Sequence, residues 1–142
     1  MNTLNLKTAN AIIQAALNKG QELGLKPLGV AVLDAGGQLI ACQREDGASP
    51  GRLQIATGKA AGALFLGVSS RHIAQVAAER PSFVASLFPL APNGLVPAPG
   101  GVIVVGADGQ SIGAVGVSGD VSDNDEQCAI AGIEAAGLIA KP

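Results

Sequence analysis

Charged side chains are scarce in this sequence, so those at the ends of predicted elements are the first candidates for chemistry. Only 14% of the 142 residues are charged, and the net charge is −2. Arg44 and Asp46 end a β-type run, Lys59 lies in an otherwise apolar helix, and Asp125 and Glu126 open the last helix. Such residues could bind a carboxylated ligand, with Lys59 or Asp46 as the acid/base. A structural ion pair at the turn and acids at a helix N-terminus explain the pattern equally well.

Three further candidates have weaker patterns. His72 is the single histidine, and it could ligate a metal such as haem iron or lie as an ordinary residue on a helix surface. Ser118 follows a glycine-rich run without the Gly-x-Ser-x-Gly spacing of a nucleophile elbow, so close backbone packing competes with a ligand-binding role. Asp123 and Glu126 form a D-x-x-E pair, which suits a surface cation or, more simply, the N-terminus of a helix.

The composition predicts a folded domain with a core of small residues. There are 25 alanines, 20 glycines and only three aromatic residues, all phenylalanine. The mean hydropathy of +0.39 excludes a disordered chain, which needs low hydrophobicity and high net charge. No basic stripe is present and almost no aromatic ring is available for base stacking, so we expect no nucleic-acid partner. Small side chains imply closely packed elements.

The cysteines and the apolar segments indicate in which cellular compartment the protein is expected. Cys42 and Cys128 match no zinc or redox spacing, and they are either a disulfide or, as we expect, two buried free thiols. No charge occurs in the segment 81–107, but its five prolines and four glycines exclude a membrane-spanning helix. The first residues lack the basic and apolar regions of a signal peptide. We therefore expect a cytoplasmic protein without a membrane partner.

Periodicity and turn residues predict helix, hairpin, two helices, hairpin, helix. Because both strand pairs are hairpins, the sheet should be antiparallel, in a single α+β domain over residues 1–142. Phe83 and Phe88 fall in a proline-rich loop, where they would serve a ligand lid or a subunit contact. The predicted helices are 7–23, 52–66, 71–79 capped by Ser69 or Ser70, and 123–140 capped by Ser122; the predicted strands are 28–34, 38–44, 101–105 and 111–118.

Several of these segments resemble the GlcG/HbpS-like proteins, in order and spacing over nearly the whole chain. The segment least similar to that family is 71–97, where specificity would be expected to vary. The resemblance is carried by V-A-V-L-D-A-G-G at 30–37, R-E-D-G-A at 44–48, I-A and K-A at 55–60, P-G-G-V at 99–102, I-G-A-V-G-V-S-G at 112–119 and D-E-Q-C-A-I-A-G-I at 125–133.

The resemblance implies a profilin-like α/β/α sandwich around a five-stranded antiparallel sheet. It also implies a small ligand, possible ligands being haem or a corrinoid, and a homo-oligomer, whether dimer, tetramer or octamer. We place the pocket near Arg44, Asp46, Lys59 and Asp125, covered by His72 or the proline-rich loop. Arg44 and Lys59 could then meet ligand carboxylates, including haem propionates.

Two other functions remain open on the sequence. One is a cofactor-independent enzyme acting on a small carboxylated or hydroxylated metabolite, with Lys59 or Asp46 as the acid/base. The other is an accessory or assembly subunit that binds no ligand.

Overall fold

The protein is a three-layer α/β/α sandwich, described by a computed structural model over residues 3–142. The predicted domain and the segment tested for a signal peptide both begin at Met1 and Asn2. These two residues lie outside the described residues. The helices are α1 (Leu6–Glu22), α2 (Arg52–Leu66), α3 (Ser70–Glu79), α4 (Pro81–Leu87) and α5 (Ser122–Ala135). The strands are β1 (Gly29–Asp34), β2 (Leu39–Arg44), β3 (Gly101–Val105), β4 (Ser111–Ser118) and β5 (Ile139–Lys141).

The five strands form one antiparallel sheet in the order β2-β1-β4-β3-β5, which confirms the expected fold class. Helices α1 and α5 pack on one face, over a core that includes Ile12, Val30, Val115 and Ile133. Helix α2 covers the other face, where Leu33 and Ala114 meet its alanines. Within residues 3–142, no helix has the length and apolar content needed to cross a membrane.

Local signals place the helix ends largely as predicted. The Asn5 side chain accepts a hydrogen bond from the Thr8 amide at 2.8 Å, and Gly24 takes a φ of 69° just after α1. Ser69 caps α3 by accepting from the His72 amide at 3.2 Å. The prediction that Ser122 caps the last helix is wrong: Val121 occupies the N-cap position of α5, and Ser122 is the first helical residue.

Two predicted segments differ from the structure. The last helix ends at Ala135 instead of Ala140, because Gly137 takes a φ of 76° and residues 139–141 then pair with β3 as β5. The proline-rich loop is partly helical, with α4 followed by a 3₁₀ turn at Phe88–Leu90. Pro81 occupies the first turn of α4, where its missing N–H has no cost. Residues 91–100 of this segment form an irregular loop, which leads into β3.

Glycines bring α2 into backbone contact with the sheet. A methyl group at Gly116 of β4 would overlap the Ala56 carbonyl oxygen, and one at Gly101 of β3 would overlap the Lys59 carbonyl oxygen. On the opposite side of α2, a methyl group at Gly58 would lie 2.7 Å from a methyl carbon of Val96. Helix α2 is therefore held between the sheet and the loop before β3.

We expect Gly116→Ala to lower the free energy of unfolding by about 3 kcal/mol, since the opposing atom belongs to the backbone and cannot rotate away. The matched control is Gly51→Ala, where φ is −71° and no atom lies within 4 Å of the added methyl group. That change should stay within about 1 kcal/mol of the unmodified protein. Urea unfolding followed by circular dichroism measures both, and equal small effects would contradict the close approach.

Candidate functional site

Lys59 and Asp125, two of the predicted site residues, form an ion pair in the interior. The Lys59 Nζ lies 3.2 Å from the Asp125 Oδ2, and it also donates to the Val117 carbonyl oxygen at 3.0 Å. Their side chains are 3% and 1% exposed. Asp125 is further fixed because its Oδ1 accepts from the Asp120 amide at 3.0 Å. The pair thus joins the middle of α2 to the first turn of α5 across the end of β4.

Burial moves both groups of this pair toward their neutral forms. It lowers the pKa of the Lys59 amine, and the attraction of Asp125 offsets part of that effect. It raises the pKa of the Asp125 carboxyl, while the Asp120 amide and Lys59 act in the opposite direction. Because the amine is nearly inaccessible and already donates twice, a substrate would reach Lys59 only if α2 or β4 moved.

Ser118 and Glu126 are also engaged by arginines. The buried Ser118 hydroxyl accepts from Arg52 Nη1 at 3.2 Å. Glu126 accepts from Arg71 Nε at 3.1 Å through both carboxylate oxygens, and Arg71 also pairs with Asp123. These hydrogen bonds raise the pKa of Arg71, so it stays charged. The D-x-x-E residues therefore hold α3 against α5.

The surroundings of that D-x-x-E pair do not favour a cation site, because Arg71 already pairs with both carboxylates. Within residues 3–142, no group of three or more histidine, cysteine, aspartate or glutamate side chains is placed to hold a metal ion. His72 is exposed on α3, one residue beyond Arg71.

The predicted pocket is divided in two by the fold. Arg44 and Asp46 are exposed and line a cavity of about 430 Å³ between the end of α1 and the end of β2. The lining of that cavity does not include Lys59 of α2 or Asp125 of α5, which are both buried. Of the four residues of the predicted pocket, Lys59 and Asp125 thus form an internal ion pair, and Arg44 and Asp46 lie on a separate surface at the edge of the sheet.

A second cavity, which the sequence did not indicate, lies between edge strand β2 and helix α2. We call it the edge groove; its volume is about 380 Å³. Cys42 is exposed there, and it carries a free thiol. The groove is open because β2 is the last strand on this side of the sheet. Its lining residues are Leu39, Cys42, Pro50, Leu53, Gln54, Thr57 and Asn93.

Two arginines, Arg44 of β2 and Arg52 of α2, lie near the edge groove but outside its lining. Cys42 is paired with Ala31, and Arg44 with Gly29, so the two side chains leave β2 on the same face. They are about 7 Å apart along the strand. Arg52 packs over Gly29, since a methyl group there would lie 3.3 Å from the Arg52 Cβ. Arg44 and Arg52 therefore flank Gly29 beyond the thiol.

Sequence reasoning missed this groove although part of its pattern was visible. Leu53 and Thr57 are one helical turn apart on α2, and Cys42 and Arg44 are two residues apart on the same face of β2. The sequence did not indicate that these faces of α2 and β2 lie next to each other. The expectation for the cysteines was half right: neither forms a disulfide, but Cys42 is exposed and only Cys128 is buried.

Comparisons with known proteins agree with the resemblance in the sequence. A family model described as "Haem degrading protein HbpS-like" matches residues 4–134. Among solved structures, a complex of PduOC with haem superposes with a TM-score of 0.85 at 23% identity, covering 99% of each chain. A comparison with curated protein sequences finds no match.

Two further solved structures are similar over most of their length. A double mutant of HbpS from Streptomyces reticuli is 29% identical, with a TM-score of 0.79, over 94% of this chain and 87% of that one. Protein ORFY from Klebsiella pneumoniae is 26% identical, with a TM-score of 0.85, over 96% and 92%.

We expect Lys59→Met to destabilise the protein by about 3–5 kcal/mol, because it leaves the Asp125 carboxylate buried without its partner. The double variant Lys59→Met/Asp125→Leu should recover most of that loss, since no buried charge remains. Lys19→Met is the matched control: its pair with Glu22 is on the surface, and the change should cost no more than about 1 kcal/mol.

The loss in Lys59→Met should also depend on pH. Without Lys59 the pKa of Asp125 rises further above its ordinary value of 3.8, so the folded state takes up a proton before the unfolded state does. The deficit relative to the unmodified protein should therefore shrink as the pH falls from 7 toward 4. Urea unfolding at several pH values measures it; a deficit that grew on acidification would contradict the buried pair.

Proposed function

The chain belongs to the family described as haem degrading protein HbpS-like, and we propose that it binds haem in the edge groove. The observation that carries this proposal is an exposed free thiol, Cys42, inside a partly apolar cavity beside the sheet. The haem complex of PduOC, a protein of the same fold, supports the choice of ligand.

The residues of the edge groove fit a flat, mostly apolar macrocycle. Leu39 and Leu53 offer apolar walls from β2 and α2, and Pro50 closes the end before α2. The groove, of about 380 Å³, is open beside the edge strand, so part of the macrocycle would extend beyond it. Bound haem would supply a redox-active iron, and a cysteine thiolate is one of the axial ligands that proteins use for it.

The charged edge of the ligand would meet two arginines that lie just outside the groove lining. Haem carries two propionates, and guanidinium groups bind carboxylates with two parallel hydrogen bonds. Arg44 forms no ion pair within the described part of the chain, and it follows Cys42 on the same face of β2. Arg52 lies beside it across Gly29. We therefore assign the propionates to these two arginines; Arg44 retains the role expected from the sequence, and Arg52 takes the place of Lys59.

Cys42, and not His72, is the axial ligand in this proposal. His72 is exposed on α3, and the residues that line the edge groove do not include it. The two assignments differ in a measurable way, because thiolate and imidazole ligands give haem different absorption spectra.

We expect the reduced protein to bind hemin saturably, with a shift of the Soret band. Cys42→Ser should weaken binding by at least about tenfold and change the position of that band, since the thiolate is lost. Cys128→Ser is the matched control: the Cys128 thiol is buried and therefore inaccessible, and burial raises its pKa to about 11, so it is not ionised. Absorption titration of each variant measures the affinity.

Two results would overturn the assignment. A Soret shift that survives Cys42→Ser but disappears in His72→Ala would make His72 the ligand. Absence of any saturable shift would remove haem itself, and a corrinoid would be the next ligand to titrate. Hemin dimethyl ester, which lacks free carboxylates, should lose affinity in the unmodified protein but should not lose more in Arg44→Gln.

We also propose that the protein self-associates, as a dimer, tetramer or octamer. The support is an exposed apolar surface on α4 and the turn after it, where Phe83 is 40%, Phe88 47% and Leu90 65% exposed. Phe88→Asp should lower the mass measured by light scattering after size-exclusion chromatography. Leu6→Asp, at a residue of α1 that is 58% exposed, should leave the mass unchanged; a monomeric unmodified protein would contradict the proposal.

A further inference from the structure

Asn93 lies between the edge groove and a second, smaller cavity. It lines the groove together with Cys42, and it also lines the neighbouring cavity of about 140 Å³ together with Phe65 and Leu64 of α2. One side chain thus forms part of the wall of both spaces. It belongs to the irregular segment before β3 and is itself exposed.

The Asn93 side chain ties that segment to the turn between β1 and β2. Its Nδ2 donates to the Gly37 carbonyl oxygen at 2.9 Å. The turn is a firm anchor, because the Asp34 Oδ1 accepts from the amides of both Gly36 and Gln38, at 2.9 and 3.0 Å. The hydrogen bond joins two segments that are 56 residues apart in sequence.

The residues that follow Asn93 are held by other contacts. Leu95 is 5% exposed, and the Val96 amide donates to the Gly58 carbonyl oxygen at 3.3 Å. The segment is therefore pinned to α2 from Leu95 onward, whatever occupies position 93. Loss of the Asn93 hydrogen bond would release only the few residues that face the groove.

We propose that Asn93 is a positioning residue, which holds the far wall of the edge groove in place before a ligand arrives. This rests on the proposed haem site. A wall that is already ordered does not lose conformational freedom on binding, so the affinity is higher than for a mobile wall. An exposed hydrogen bond of this kind contributes little to global stability, because water replaces it after loss.

The test uses Asn93→Ala and the isosteric Asn93→Asp, which cannot donate to the Gly37 carbonyl. Both should weaken hemin binding by about tenfold, without moving the Soret maximum of the bound form, since Cys42 remains. Their melting temperatures should match that of the unmodified protein. The control is Asn18→Ala: Asn18 also makes one exposed side-chain hydrogen bond, with Gln14, but on α1 at the opposite face of the sheet.

A second measurement on the protein without hemin separates this inference from the haem proposal. The reaction rate of Cys42 with a bulky maleimide should rise several-fold in both Asn93 variants and not in Asn18→Ala. If the rate rises but the unmodified protein binds no hemin, the haem proposal fails and the role of Asn93 in the groove wall stands. If hemin binds and neither the rate nor the affinity changes in the Asn93 variants, the positioning role is overturned.

Discussion

The contact between the backbone of α2 and the glycines of β3 and β4 is the constraint on which the rest of the molecule depends. The carbonyl oxygens of Lys59 and Ala56 lie against Gly101 and Gly116, so there is no room for a side chain between helix and sheet. The loop before β3 covers the other side of α2 at Gly58. Since both sides of the helix are in close contact, α2 has one permitted position.

That position explains why a lysine is buried in so apolar a helix. With its carbonyl oxygen over Gly101, Lys59 places its amine within reach of the Val117 carbonyl and the Asp125 carboxylate. A buried pair of this kind adds little net stability compared with apolar residues, but it is costly to break. It therefore favours one arrangement of α2 and α5, and the arginine contacts to Ser118 and Glu126 act in the same direction.

The sequence predicted most elements because their signals are local. Helix α2 has the predicted bounds, and the caps at Asn5 and Ser69 follow from residues three positions away. Strand β5 was missed because three residues after a glycine show no periodicity, and only pairing with β3 makes them a strand. The scarcity of charge drew attention to Lys59 and Asp125 as candidate pocket residues. It did not show that they pair across 66 residues, or that Arg44 lies apart from them.

The edge groove is a consequence of the same packing. Because α2 lies over β4, β1 and β3, it leaves β2 at the edge of the sheet only partly covered, and Leu39 and Cys42 face the remaining space. The groove is thus lined by side chains that the core does not need. Substitutions at Cys42 or Asn93 remove no buried apolar contact, whereas those at Gly116 or Lys59 disturb the backbone position of α2 itself. Stability and the proposed ligand binding therefore depend on different residues of the same helix–sheet layer.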